Sequence, residues 1–354
     1  MGFDLDSTLE LTASLGASDL HLRAGAMPRA RVDGELVELP GLAKLTPEET
    51  AAAADRLLAT PEQRASLAQR GAVDVSHRAG DLRFRASIYR QRGTMAIAFR
   101  VVLDAPAPAG LGIPQTVLEW AGARRGLVVV TGATGTGKST TTACLVKIIN
   151  DTRRCHIITI EDPIEFVHED RLALVSQREI GADAPSYADA LRSALRQAPD
   201  VMVIGEVRDE ETASAALRAA ETGHLVLATM HTIDAAETVE RFCDLFTDAS
   251  PRLVRKMLAA TLVGIASQRL VPARGGGRRL NVEVLVNSAR VRHLIATGDL
   301  DSKLRDAVAE GDYYGMRTFD QCLLALVREG SVDREEALAL ASSSHDLALM
   351  LAAA

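Results

Sequence analysis

The chain has 354 residues, of which 47% are hydrophobic and 3% aromatic, and its net charge is −7. That length accommodates two domains, and that apolar content excludes a disordered chain. The acidic balance argues against a nucleic-acid binder, which needs a basic face to neutralise phosphates.

In chain order, the start "MGFDLDSTLELTASLG" is acidic and lacks the charged-then-apolar pattern of a secretory signal. Asp6 stands where a myristoylation signal after the Met-Gly start needs Ser or Thr. "ARVDGELVEL" predicts a hairpin turning at Asp-Gly. "LTPEETAAAADRLLATPEQRASLAQ" predicts one or two helices with Thr46 and Thr60 as N-caps. "DVSHRAGDLRFRASIYRQRGTMAIAFRVV" predicts a strand, a Gly-containing turn and two more strands. Residues 1–103 therefore form a small mixed α/β domain. "DAPAPAGLGIP", residues 104–114, carries three prolines and two glycines and is expected to be a linker.

Beyond it, short apolar strands alternate with helices. "GLVVVTG", "HIITIED", "DVMVIGEVRD" and "HLVLATMHT" read as strands; "STTTACLVKIINDT", "YADALRSALRQ" and "ETASAALRAAETG" read as helices. The alternation predicts a mostly parallel sheet covered on both faces over residues 115–289. Residues 290–354 read as all helical. No run of 18 apolar residues occurs, so a soluble, intracellular protein is expected. Cys144, Cys155, Cys243 and Cys322 form no C-x-x-C pair, which argues against zinc and for reduced thiols.

"GATGTGKS", residues 132–139, matches G-x-x-x-x-G-K-[ST] in full between a predicted strand and helix. A loop of small residues running into a helix N-terminus offers free N–H groups and a positive dipole to phosphates. Gly132, Ala133, Thr134, Gly135, Thr136, Gly137, Lys138, Ser139 and Thr140 are the expected nucleotide-binding residues. Lys138 would reach the β and γ phosphates and Ser139 would ligate Mg2+. The strand "VMVIGE" ends in Glu206, at the sheet edge where ligands bind in α/β proteins. Glu206 is expected at the metal and the γ-phosphate. "ITIEDPIEF" ends a third strand in acids; Glu161, first after the strand, is expected to polarise the attacking water, while Asp162 and Glu165 fit either function or a solvated turn.

His224 and His231 in "ETGHLVLATMHT" flank a strand, on the order of 23 Å apart, so one phosphate or metal cannot touch both. Odd spacing sends their side chains to opposite faces. His231 is placed to sense the γ-phosphate, and His224 to contact another element or subunit. "RFRASIYRQRGTMAIAFR" holds Arg85, Arg92 and Arg100, either a solvated strand face or arginine fingers for a phosphoryl group.

These boxes resemble the type IV pilus retraction ATPases of the secretion ATPase superfamily. "GASDLHLRAG" and "RVDG" resemble the start of that family's N-terminal PAS-like domain. "TGATGTGKSTT" resembles its Walker A, "TIEDPIEFVH" its Asp box, "IGEVRD" its Walker B and "ETGHLVLATMHT" its His box. The resemblance implies a RecA-like ATPase domain with a helical C-terminal extension, assembled as a homo-hexamer with ATP between subunits. It implies that Arg85, Arg92 and Arg100 are arginine fingers acting on the neighbouring site and that His224 couples the site to the next subunit. It further implies work on an inner-membrane pilus platform protein from the cytoplasmic face, alone or beside a second retraction ATPase. Ala198 in "RQAPD" departs from the acid usual there, and "ARVRHLIATGD" fits the family's retraction-linked motif only loosely. A pilus-extension or type II secretion ATPase is the alternative; a ring motor on nucleic acid is a weaker one.

Overall fold

The structure, a computed structural model, describes residues 3–32, 34–247 and 250–353. It divides into two compact units, Met1–Asp104 and Ala105–Ala354.

The first unit contains α1 (Leu5–Ser14), β1 (Asp19–Arg23), β2 (Arg29–Val32), β3 (Glu35–Glu38), α2 (Pro47–Leu57), α3 (Pro61–Arg70), β4 (Ala72–Ala79), β5 (Leu82–Gln91) and β6 (Thr94–Asp104). Its strands form an antiparallel sheet in the order β3-β2-β1-β6-β5-β4. Every second residue faces the core, so Leu20 pairs with Phe99 and Ile88 with Ile97, all of them buried. Thr46 and Thr60 cap α2 and α3 through reciprocal capping boxes with Glu49 and Gln63. The β2–β3 hairpin forms as expected, but Asp33 of its turn lies outside the described residues, as does the Met-Gly start.

The second unit contains α4 (Gln115–Glu119), β7 (Gly126–Thr131), α5 (Lys138–Thr152), β8 (His156–Glu161), β9 (Phe166–Val167), β10 (Leu174–Glu179), α6 (Tyr187–Ala194), β11 (Val201–Ile204), α7 (Glu210–Glu221), β12 (Leu225–Met230), α8 (Ala235–Asp244) and α9 (Pro251–Thr261). It continues through β13 (Leu262–Pro272), β14 (Arg278–Val286), α10 (Ala289–Thr297), α11 (Asp301–Ala309), α12 (Phe319–Arg328), α13 (Arg334–Leu340) and α14 (Ser344–Ala352). The sheet runs β10-β8-β11-β12-β7-β13-β14 and is parallel except where β13 meets β14. Every residue of β7, β11 and β12 is buried, because helices cover both faces of a parallel sheet. The alternation read from the sequence stops at β12; the sheet goes on through the antiparallel β13–β14 hairpin.

Two strand ends differ from the sequence reading. Glu161 is the last residue of β8, paired with Glu179 of β10, rather than the first after the strand. β11 ends at Ile204, two residues before Glu206. The chain leaves the sheet at Gly205, where a Cβ would stand 2.9 Å from the Tyr187 hydroxyl and 3.1 Å from the Ile160 carbonyl oxygen. Only glycine fits that crossing, and it aims Glu206 back over the strand ends.

Candidate functional site

β7 delivers the chain to the phosphate-loop sequence at the carboxyl edge of the sheet. Gly132, Gly135 and Gly137 all have positive φ, the region other residues rarely enter. At Gly132 the demand is also steric: a Cβ would lie 2.4 Å from the Gln268 carbonyl oxygen of β13. The loop then feeds α5, whose N-cap Gly137 makes no side-chain capping bond among the described residues. Its first amides therefore face outward as anion donors.

Lys138 is buried and donates from Nζ to the carbonyl oxygens of Gly132 at 2.8 Å and Ala133 at 2.9 Å. A third contact, at 3.5 Å, runs from Nζ to Nδ1 of His231. The other ring nitrogen of His231 lies 3.3 Å from Oε1 of Glu206. With Nδ1 accepting from the ammonium, the ring proton belongs on Nε2 and points at the carboxylate. Lys138, His231 and Glu206 thus form one hydrogen-bonded line, drawn from α5, the end of β12 and the turn after β11. Arg208 Nη2 closes it 2.5 Å from Oε2 of Glu206.

Electrostatics separate the two glutamates. Burial pushes the Glu206 carboxyl up, but the Arg208 guanidinium and His231 outweigh it and hold the group below the ordinary carboxylate range. Burial raises Glu161, and its hydrogen bonds only partly offset that. Glu161 accepts from the Thr159 hydroxyl at 2.6 Å and the Gln177 amide at 3.2 Å. Desolvation lowers the Lys138 ammonium, with Glu206 and Glu165 opposing the shift.

Lys138, Thr159, Glu161, Glu206 and His231 line one cleft of about 950 Å³ within the second unit, together with Thr134 to Thr140, Asp162, Glu165, Tyr187 and Arg208. Asp162 and Glu165 are both exposed at its rim. The remaining expected residues lie elsewhere. His224 sits at the opposite end of β12, where Nδ1 bonds the Ala219 carbonyl oxygen at 3.0 Å and the Thr222 hydroxyl at 3.2 Å, closing the end of α7. Arg85 and Arg100 are cross-strand neighbours on β5 and β6 of the first unit. Arg92 lies at the turn between those strands with φ 48°, seven residues along from Arg85. The arginines thus fall into a pair and a separate turn residue.

The sequence reading missed Tyr187, Arg208 and Gln268. Arg208 stands two residues after Glu206 in a box already in view, a readable signal. Tyr187 reaches the cleft, and Gln268 the back of the phosphate loop, only through the sheet order, which no local pattern encodes.

The oxygen set around the loop suits a hard cation, since an ionised Glu206 and the Ser139 hydroxyl share the cleft. Among the described residues no cluster of three or more His, Cys, Asp or Glu side chains is arranged to hold a metal on its own. No helix among them is long and apolar enough to cross a membrane.

A family model described as "Type II/IV secretion system protein" matches residues 109–292. The type IV pilus retraction ATPase PilT of Pseudomonas aeruginosa is 40% identical over 94% of this chain and 97% of its own length. The type IV pilus ATPase PilU of the same organism is 38% identical over 98% of this chain and 91% of its own. A crystal structure of the pilus retraction motor PilT with bound ADP superposes with a TM-score of 0.87 at 42% identity, covering 98% of this chain and 99% of that one.

Proposed function

Because this chain belongs to the type II/IV secretion system protein family, we propose that it is an ATPase that powers type IV pilus retraction. The observation that carries the reading is the Lys138–His231–Glu206 line at the phosphate loop, in a chain that matches retraction motors over nearly its whole length.

The residues divide the work by charge. The amides from Gly135 to Lys138 and the Lys138 ammonium bind the phosphates, and burial of Lys138 strengthens that attraction by excluding water. The Ser139 hydroxyl and the Glu206 carboxylate would hold Mg2+, which neutralises charge on the β and γ oxygens when bound. His231 holds one oxygen of Glu206 and so fixes its direction. Glu161, whose raised proton affinity makes it the stronger base, orients the attacking water and takes its proton.

The working form in this proposal is a homo-hexamer on the cytoplasmic face of the inner membrane. Arg85 and Arg100 reach the γ-phosphate of a neighbouring subunit, Arg92 meets that subunit from the far end of the same hairpin, and His224 relays its state to the interface. Closure and opening of subunit interfaces turn the pilus platform protein, and the likeness to PilU supports a second retraction ATPase as a partner. The test has two arms. Purified chain should hydrolyse ATP and Lys138→Ala should abolish it. Cells lacking the gene should carry excess surface pili and lose twitching; bald cells would point to extension instead.

A further inference from the structure

Behind the phosphate loop, on the side away from the cleft's mouth, β13 presents Gln268 to the first turn of α5. The register sets this up: Ser267 pairs with Thr131, so Gln268 stands level with Gly132, the first residue of the loop. Gln268 is 1% exposed. Its Nε2 donates to the Thr141 hydroxyl at 2.6 Å, and Thr141 is 2% exposed. Thr141 lies one turn into α5, with its N–H bonded to the Gly137 carbonyl oxygen at 3.0 Å. The main chain of Gln268 makes the second contact, since its carbonyl oxygen fills the space a side chain at Gly132 would need. The loop is therefore gripped at both ends by one residue.

The other half of the amide makes the site unusual. Gln268 Oε1 is buried and has no hydrogen-bond partner among the described residues. A Cβ placed on Gly137 would lie 4.0 Å from it, so this acceptor sits against the last glycine of the loop. A buried, unpaired amide oxygen is costly, and leucine or methionine would fill the same volume without that cost. What the amide supplies in return is direction: a planar group with one bonded end cannot slide along α5 as an aliphatic chain can.

We propose that Gln268 is a positioning residue for nucleotide binding, acting through Thr141 to fix where the first turn of α5 and its amides stand relative to β7. This rests on the phosphate-loop reading above and goes beyond it. Phosphate binding depends on several N–H groups pointing at one centre, so a small rotation of the first turn weakens all of them together. The fold itself does not depend on the bond, because β13 is held by its pairing to β7 and β14.

The test is a double-mutant cycle read by calorimetric titration of ATP into the full chain, with the melting midpoint of the nucleotide-free protein as a control. Gln268→Met and Thr141→Val should each weaken ATP binding about tenfold. The double variant should be no weaker than either single one, and the losses should not follow the nucleotide-free midpoint: Gln268→Met, which removes the buried unpaired oxygen, should melt no lower than wild type, whereas Thr141→Val, which strands the Gln268 amide, should melt lower. Thr141→Ser, which keeps the hydroxyl, should bind like wild type and carries the test if Gln268→Met fails to fold. In turnover, KM should rise more than kcat falls. Wild-type affinity in Thr141→Val, or losses that multiply in the double variant, would overturn the role of Gln268. Failure of the wild-type chain to bind ATP would instead overturn the phosphate-loop reading.

Discussion

Glu206 and Glu161 are the same side chain at neighbouring strand ends, and only their surroundings set them apart. Glu206 has an arginine and a histidine against its oxygens, whereas Glu161 has a hydroxyl and an amide in a drier place. Glu206→Gln should therefore still bind ATP but turn it over about 10²–10⁴-fold more slowly, as single-turnover measurements would show; full hydrolysis would remove Glu206 from its role. A base must be ionised to act, so protonation of Glu161 should end turnover as pH falls. Because burial lifts Glu161, the acid limb of the pH–rate profile should lie above the ordinary carboxylate range. A limb below the ordinary carboxylate range would return the base assignment to Glu206. The sequence showed that acids end these strands. It did not show their contrast, because Thr159, Gln177, Arg208 and His231 come together only in three dimensions.

Elements that follow a local rule were the legible ones. Thr46 and Thr60 announce their helices by capping, and β7, β11 and β12 announce themselves as unbroken apolar runs between helices. β14 escaped because Asn281 and Glu283 interrupt its apolar pattern although both point into the protein. Glu283 has a specific use: it accepts the N–H of Ala235 at 2.8 Å and so caps the start of α8, just beyond His231. Burial, then the nearby Asp234, raises its pKa from the ordinary carboxylate range to about 7. The sign follows directly. Below the unfolded value both states hold the proton and nothing is lost; as pH rises toward 7 the folded state must ionise a buried group. The cost above pH 7 is about 3 kcal/mol. Glu283→Gln keeps an acceptor for Ala235 without that cost, so its melting midpoint should exceed wild type at pH 8 and match it near pH 4.5. An equal gap at both pH values would show that ionisation of Glu283 is not the cause.

For the whole molecule, the distribution of charge matters more than its sum of −7. Across the first sheet the pairs Arg31–Asp19, Asp19–Arg100 and Arg100–Arg85 stand in register, so one face carries a row of three arginines around a single aspartate. Asp19 holds Arg100 at 3.0 Å; Asp19 is 14% exposed, but the Arg100 side chain is 69% exposed, so its guanidinium lies largely in water. Arg85 and Arg100 are thus the pair free to turn toward a phosphate on another copy. Arg92, about seven residues away along an extended strand, is on the order of 20 Å from Arg85 and cannot serve the same oxygen. Mixing subunits tests this. If each site takes its arginine from a neighbour in a coupled ring, Arg85→Ala subunits mixed equally with wild type should lower ATP hydrolysis well below half, because one variant disables a site it does not own. Arg92→Ala should poison the ring less. Loss strictly proportional to the fraction of Arg85→Ala subunits would count against action in trans in a coupled ring, and no loss at all would make the row of arginines a solvated sheet face.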